Sequence, residues 1–264
     1  MCALLLLMAT FSCRAATLVP SPFWEELTST ELRGRIESGS TTVLIPIGGT
    51  EQNGAHMTLG KHNVRAKLLA GKIAQGLGNA FVAPVVAYVP EGAVYPPQAH
   101  MRYAGTLSVP ESVFEALLEA TARSLKQHGV RDVVLLGDHG GYQQSLVRVA
   151  AKLNREWVRD PACRVLALTQ YYRITQTAYV EALKQRGFSV TEIGQHAGLA
   201  DTSLSLALDP QLVRSHLLAS KDVKQPGVSG DPRRASPELG QIAVQSIVES
   251  SVQSIRAATQ SQSR

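Results

Sequence analysis

Four apolar runs, at 42–47, 81–89, 132–136 and 164–169, alternate with stretches of helical periodicity, and that alternation constrains the fold more than any other feature of the chain. Each run is rich in Val, Ile, Leu or Ala with little polar alternation, as strands covered on both faces require. Helical patterns occupy 63–77, 110–128, 141–158 and 173–186, and a last helix is expected from 237 to about 258. In the second of these, Pro110 supplies a favoured first-turn residue and Phe114, Leu117, Leu118, Thr121, Ala122 and Leu125 recur at spacings of three and four. Gly129 stops it. The β-α-β-α order predicts a mainly parallel central sheet with helices on both sides, a three-layer α/β/α domain.

At 264 residues, with no Pro/Ser-rich linker, one large core and a single domain over 17–264 are expected. The chain is 44% hydrophobic and 18% charged, ordinary for a globular protein. Its net charge of +5 is scattered, Arg233-Arg234 being the only adjacent basic pair, so no nucleic-acid partner is expected. Residues 1–16 read as an export signal: ALLLLMATF is too short to span a bilayer and leads into small residues, which predicts a mature chain beginning near Thr17, periplasmic or secreted, with no membrane span. A lipid anchor on Cys13 is the alternative. With Cys2 and Cys13 in the leader, Cys163 stands alone, and an internal disulfide is excluded from the mature chain.

The segment IPIGGTEQNGAHMTLGKHN concentrates chemistry where the first strand breaks at Gly48-Gly49 and releases Glu51, His56 and His62 before a helix. Downstream, a second strand ends in Asp138-His139-Gly140-Gly141. Loops at the carboxyl ends of parallel strands are where α/β proteins bind ligands. One carboxylate and two neutral imidazoles, Glu51, His62 and His139, form a set that holds a catalytic divalent ion and leaves a position for water. The competing reading has Glu51 capping a helix or paired with Lys61. His196 and Asp201 are close enough in sequence to face one pocket, although Asp201 is equally placed to cap a helix. His56, His100 in its long loop, and Tyr142 are candidate substrate contacts. Neither a G-x-S-x-G elbow nor a phosphate-binding glycine motif occurs, and Cys163 opens a strand as a core residue.

GGTEQNGAHMTLGKHN, AHMRYAGTLSV, LLGDHGGYQQS, QHAGLADTSLSLAL and GVSGDPRRASPELG stand in the order seen in the creatininase family, so that the chain resembles that family from 41 to 255. The resemblance implies an α/β/α layered fold, a homo-oligomer that is often a hexamer, and hydrolysis of C–N amide bonds with Zn, Mn or Fe. Where the family motif reads E-Q-H-G-x-H-L-P-L-x-T-D, Glu51 is retained, its first histidine is replaced by Asn53 and its bridging Asp by His62. His139 matches a ligand histidine, and the carboxylate two residues beyond it is Gly141. In the late motif His196 is retained as the acid/base candidate, and Asp201 stands for a glutamate.

An imidazole bridges two ions far less readily than a carboxylate, and an amide is a weak ligand. The expectation is therefore one Zn-like ion held by Glu51, His62 and His139 with Asp201 as fourth ligand, Glu51 and His196 serving catalysis and Asn53 hydrogen-bonding substrate. The resemblance implies an amidohydrolase acting on a small amide, cyclic amide or short peptide. A ligand-binding protein that keeps the pocket without catalysis is the alternative.

Overall fold

A computed structural model describes residues 21–220, 223 and 226–260, and the leader expected over 1–16 lies outside the described residues, as do Cys2 and Cys13. The strands are β1 (Thr42–Ile47), β2 (Ala80–Val82), β3 (Asp132–Gly137) and β4 (Arg164–Ala167), joined in one all-parallel sheet of order β2-β1-β3-β4. Around them lie α1 (Ser29–Glu37), α2 (Lys61–Leu77), α3 (Glu111–Gln127), α4 (Gln143–Glu156), α5 (Thr169–Gln176), α6 (Ala178–Lys184), α7 (Val190–Ile193), α8 (Leu199–Leu208) and α9 (Pro237–Gln260).

Successive side chains of a strand point to opposite faces, so the apolar runs feed two cores. Val43, Ile45, Val133 and Leu135 pack with α1, α3 and α4. Leu44, Val134 and Leu136 pack with α2, α5, α6, α8 and α9. This is the three-layer α/β/α arrangement that the alternation predicts. Burial of all six residues in β1 and in β3 explains why neither strand alternates in polarity.

The differences from the sequence reading have local causes. The second strand stops at Val82 rather than running to 89, because Pro84 has no N–H for a ladder. The helix expected over 173–186 is two helices, beginning at Thr169 and broken at Thr177, whose backbone (φ −123°, ψ −89°) leaves the helical region. The sequence reading passes over α1, although its capping box is present: Thr28 accepts from the Glu31 N–H and the Glu31 carboxylate accepts from the Thr28 N–H.

Helices α8 and α9 cross at Gly240, where a Cβ would stand 1.9 Å from the Ser203 carbonyl oxygen. Neither backbone can yield without separating the helices. Gly240→Ala is expected to cost about 1–3 kcal/mol in urea denaturation; an unchanged midpoint would show that the crossing is loose.

The order β2-β1-β3-β4 reverses direction at β1, so the chain crosses to one side for β2 and to the other for β3. At such a reversal the loops leaving two adjacent strands part and open a crevice at their carboxyl ends. That crevice brings the loop of Glu51 against the loop of Asp138 and His139.

Candidate metal centre

Glu51 is fully buried, and four imidazoles converge on its carboxylate. Its Oε1 lies 2.9 Å from His62 Nε2 and 3.6 Å from His196 Nδ1; its Oε2 lies 3.2 Å from His100 Nε2 and 3.6 Å from His139 Nε2. Two ligand groups therefore share this one residue among the described residues, Glu51 with His62 and His139, and Glu51 with His100 and His196. Glu51 Oε2 is buried without a hydrogen bond among the described residues.

Each histidine reaches the carboxylate from a different element. His62 stands in the first turn of α2, His139 follows β3, and His100 sits in a short helical turn (Ala99–Arg102). His196 is placed by a backbone pairing with Ser229. Its Nε2–H donates to the Gln52 carbonyl at 2.9 Å, which leaves the Nδ1 lone pair facing Glu51. The backbones of Gly194, Gly198 and Gly230 approach so closely behind it that a Cβ on Gly198 would stand 2.9 Å from Gly230 Cα.

Behind the histidines lies a buried charge network. His62 donates Nδ1–H to Asp138 Oδ2 at 2.6 Å, and the same oxygen lies 3.2 Å from Arg65 Nε. Asp201 accepts from both Lys61 and Arg65, and from the Ala197 N–H at 2.8 Å. The Lys61 ammonium also stands 3.7 Å from Glu51 Oε1. Lys61, His62 and Arg65 thus face Glu51, Asp138 and Asp201, three basic side chains against three acidic ones.

The pKa shifts follow from this packing. Burial opposes ionisation of Glu51, yet the His62 hydrogen bond and the neighbouring positive charges hold its pKa far below the usual carboxylate range. For His62, burial and the Lys61 charge favour the neutral ring, and the hydrogen bonds to Asp138 and Glu51 overcome them and raise its pKa. Burial draws His139 down to about 3 and His196 to about 4, so both rings are neutral near pH 7. Glu91 moves the other way, pushed up to about 8 by burial and then by the Glu51 charge.

That last shift carries a pH signature. The folded Glu91 pKa exceeds the unfolded value of about 4.3, so its contribution to stability is complete below the unfolded pKa and is lost as pH rises through about 8. Through this group the metal-free protein is expected to lose stability from about pH 4.3 up to about 8, and Glu91→Met to flatten that slope. Denaturation midpoints across this range measure it; identical slopes in the two proteins would contradict the assignment.

The site opens on a cavity of about 350 Å³ lined by Lys61, His62, His100, His139 and His196, with Tyr172, Gln176 and Gln195 also on its wall. His100, a candidate substrate contact, is on its wall. The structure places three other expected substrate contacts elsewhere. Asn53 is fully buried and donates to the Glu51 and Thr58 carbonyls at 2.9 Å, bracing the loop. His56 is fully buried against Thr202, its Nε2 3.1 Å from the hydroxyl. The Tyr142 hydroxyl donates toward the Gly48 carbonyl at 2.6 Å and accepts from the His139 N–H at 3.1 Å, tying the two loops together. Asp201 lines the cavity, but its oxygens are committed to Lys61, Arg65 and Ala197, and it stands outside both ligand groups.

Sequence reasoning missed Arg65, Glu91 and the bracing role of Asp138. A signal for the first was present: Lys61 and Arg65 continue the buried stripe of Ala66, Leu69 and Ile73 along α2, where unpaired charges would be prohibitive. Nothing around Glu91 in the sequence distinguishes it.

A parallel α/β/α sheet thus gathers a carboxylate and imidazoles, two candidate cation-ligand groups, at its switch point beside a polar cavity. A family model described as "Creatininase: Creatinine amidohydrolase" matches residues 25–255, and the chain belongs to the creatininase family. It is 28% identical over 203 residues to a creatinine amidohydrolase of Pseudomonas putida, covering 73% of this chain and 74% of that one. A mycofactocin precursor peptide peptidase of Mycolicibacterium smegmatis is 30% identical over 211 residues, 75% and 78% of the two chains. Among solved structures, a glutamate-to-glutamine mutant of creatininase, of Zn-Zn type, superposes with a TM-score of 0.74 at 25% identity, covering 90% of this chain and 98% of that chain.

Proposed function

We propose that this chain is a metal-dependent amidohydrolase which binds one divalent cation through Glu51, His62 and His139 and hydrolyses a C–N bond in a small amide, cyclic amide or short peptide. The convergence of four imidazoles on the buried Glu51 carboxylate, beside a polar cavity, carries this reading. The residues fit an ion: Glu51 Oε2 has no hydrogen bond, His139 is neutral, and His62 is backed by Asp138 as a metal-bound histidine is backed by a carboxylate. Zinc suits a mixed carboxylate and imidazole set, with manganese or iron as alternatives. When bound, such an ion supplies Lewis acidity toward a carbonyl oxygen and a water.

The charge beside Glu51 supports one ion rather than two. The Lys61 ammonium, 3.7 Å from Glu51 Oε1, already neutralises that side of the carboxylate and opposes a second cation there. His196 is the proton carrier: its Nδ1 faces the site as a free base, so it can take a proton from the attacking water and pass that proton to the leaving nitrogen. His196→Ala is expected to lower kcat about 10²–10⁴-fold while ion content is unchanged; equal activity would remove His196 from the reaction.

Metal analysis of the purified protein, with hydrolysis of a panel of formamides, lactams and short peptides, tests the whole reading. About one ion per chain and turnover that chelation abolishes support it. Two tightly held ions, or turnover insensitive to chelation, would overturn it. A second reading, a binding protein that keeps the pocket without catalysis, draws support from the network of Lys61, His62, Arg65, Glu51, Asp138 and Asp201, in which each carboxylate has a basic partner without an ion. Ligand-induced thermal stabilisation without product would favour it.

Export is part of the proposal and rests on the apolar leader at 1–16. Recovery from periplasm or medium with an N-terminus near Thr17 supports it, as retention of an intact chain in the cytoplasm would not. Self-association into a homo-oligomer, up to a hexamer, is likewise proposed from family membership.

A further inference from the structure

Glu91 is the buried ionisable group for which the chemistry above has no use. Its side chain is fully buried, and neither carboxylate oxygen has a hydrogen-bond partner among the described residues. The fold nevertheless makes room for it. Gly49, at φ +151°, lies so close that a Cβ there would stand 2.5 Å from Glu91 Oε1. An isolated buried carboxyl is costly unless another state of the protein completes its bonding.

The nearest ring nitrogen is His139 Nδ1, 3.5 Å from Glu91 Oε2. As the ring stands, Nδ1 accepts from the Gly141 N–H at 3.3 Å, and the neutral ring carries its proton on Nε2, toward Glu51 Oε2 at 3.6 Å. A histidine that ligates through Nε2 needs its lone pair there and its proton on Nδ1. The acceptor waiting at Nδ1 is Glu91. The other imidazole of the same ligand group is built alike, with Asp138 Oδ2 2.6 Å from His62 Nδ1. Both rings therefore have a carboxyl group behind Nδ1, one engaged and one not.

We propose that Glu91 is a positioning residue for His139, accepting Nδ1–H of the ligating tautomer and so presenting Nε2 to a divalent cation. This rests on the reading of His139 as a ligand. Outer partners of this kind change metal affinity about 10–100-fold when removed. Zinc titration of the metal-free protein by calorimetry, for wild type, Glu91→Met and Glu91→Gln, is the test. Glu91→Met is expected to bind about 10–100-fold more weakly while melting no lower than wild type, since a buried carboxyl without partners has been removed. Glu91→Gln, whose amide oxygen still accepts, is expected to stay closer to wild type. Nitrogen NMR of the zinc-loaded wild type is expected to show His139 protonated at Nδ1. Wild-type affinity in Glu91→Met, or His139 protonated at Nε2 with zinc bound, would overturn the proposal alone. A wild type that binds no zinc would overturn the ligand reading and this proposal together.

Discussion

Glu51→Gln is expected to strip the protein of its divalent ion and to lower kcat/KM by about 10³-fold or more, with the fold retained. The substitution preserves shape and leaves an amide oxygen to accept from His62 Nε2 in the 2.9 Å contact. It removes the one negative charge on which His62, His100, His139 and His196 converge. An amide oxygen is a poor ligand for zinc, and the nearby Lys61 ammonium is then free to repel a cation instead of neutralising Glu51. Metal content by mass spectrometry and turnover on a substrate found in the panel are the two readings to take. Wild-type ion content in the variant would take Glu51 out of the centre, whatever the activity.

Removal of Asp201 acts on stability instead. Lys61 and Arg65 have side chains only 1% and 4% exposed, and Asp201 accepts from both. Breaking a buried pair leaves an uncompensated charge, at a cost of about 3–5 kcal/mol. Partial compensation remains, since Lys61 keeps Glu51 at 3.7 Å and Arg65 keeps Asp138 at 3.2 Å. Loss of the Ala197 N–H bond adds to the effect by loosening the entry to α8 and, with it, His196. Urea denaturation of Asp201→Ala measures this. A loss below about 1 kcal/mol, the size typical of an exposed pair, would mean that both cations reach water.

These two carboxylates show how far the sequence could be read. Glu51 was recognisable because it follows a strand and a Gly-Gly break in a motif shared with the family. From its place in such a motif Asp201 is a candidate fourth ligand or helix cap, and in the structure Lys61, Arg65 and the Ala197 N–H take its oxygens. The distance of Lys61 and Arg65 from it in sequence, 140 and 136 residues, hides that competition from any local pattern. His100 was expected to touch substrate and stands on the cavity wall within 3.2 Å of Glu51. Asn53, His56 and Tyr142 are polar residues in the right loops whose side chains turn inward to satisfy buried hydrogen bonds. The loop sequence alone does not state which way a side chain turns.

Periodicity is a local property, and by itself the sequence determined the alternation of buried strands and amphipathic helices, the parallel three-layer sheet, and the loops in which chemistry would gather. Family membership could be recognised from the same residues. Only the tertiary structure decided that four histidines share one carboxylate, that Asp201 serves two buried cations, and that Glu91 lies behind His139 without a hydrogen bond among the described residues. Those outcomes depend on which charges burial forces together, and in a low-dielectric interior each ionic group takes the partner that best offsets its lost hydration. That choice is made between elements far apart in the chain.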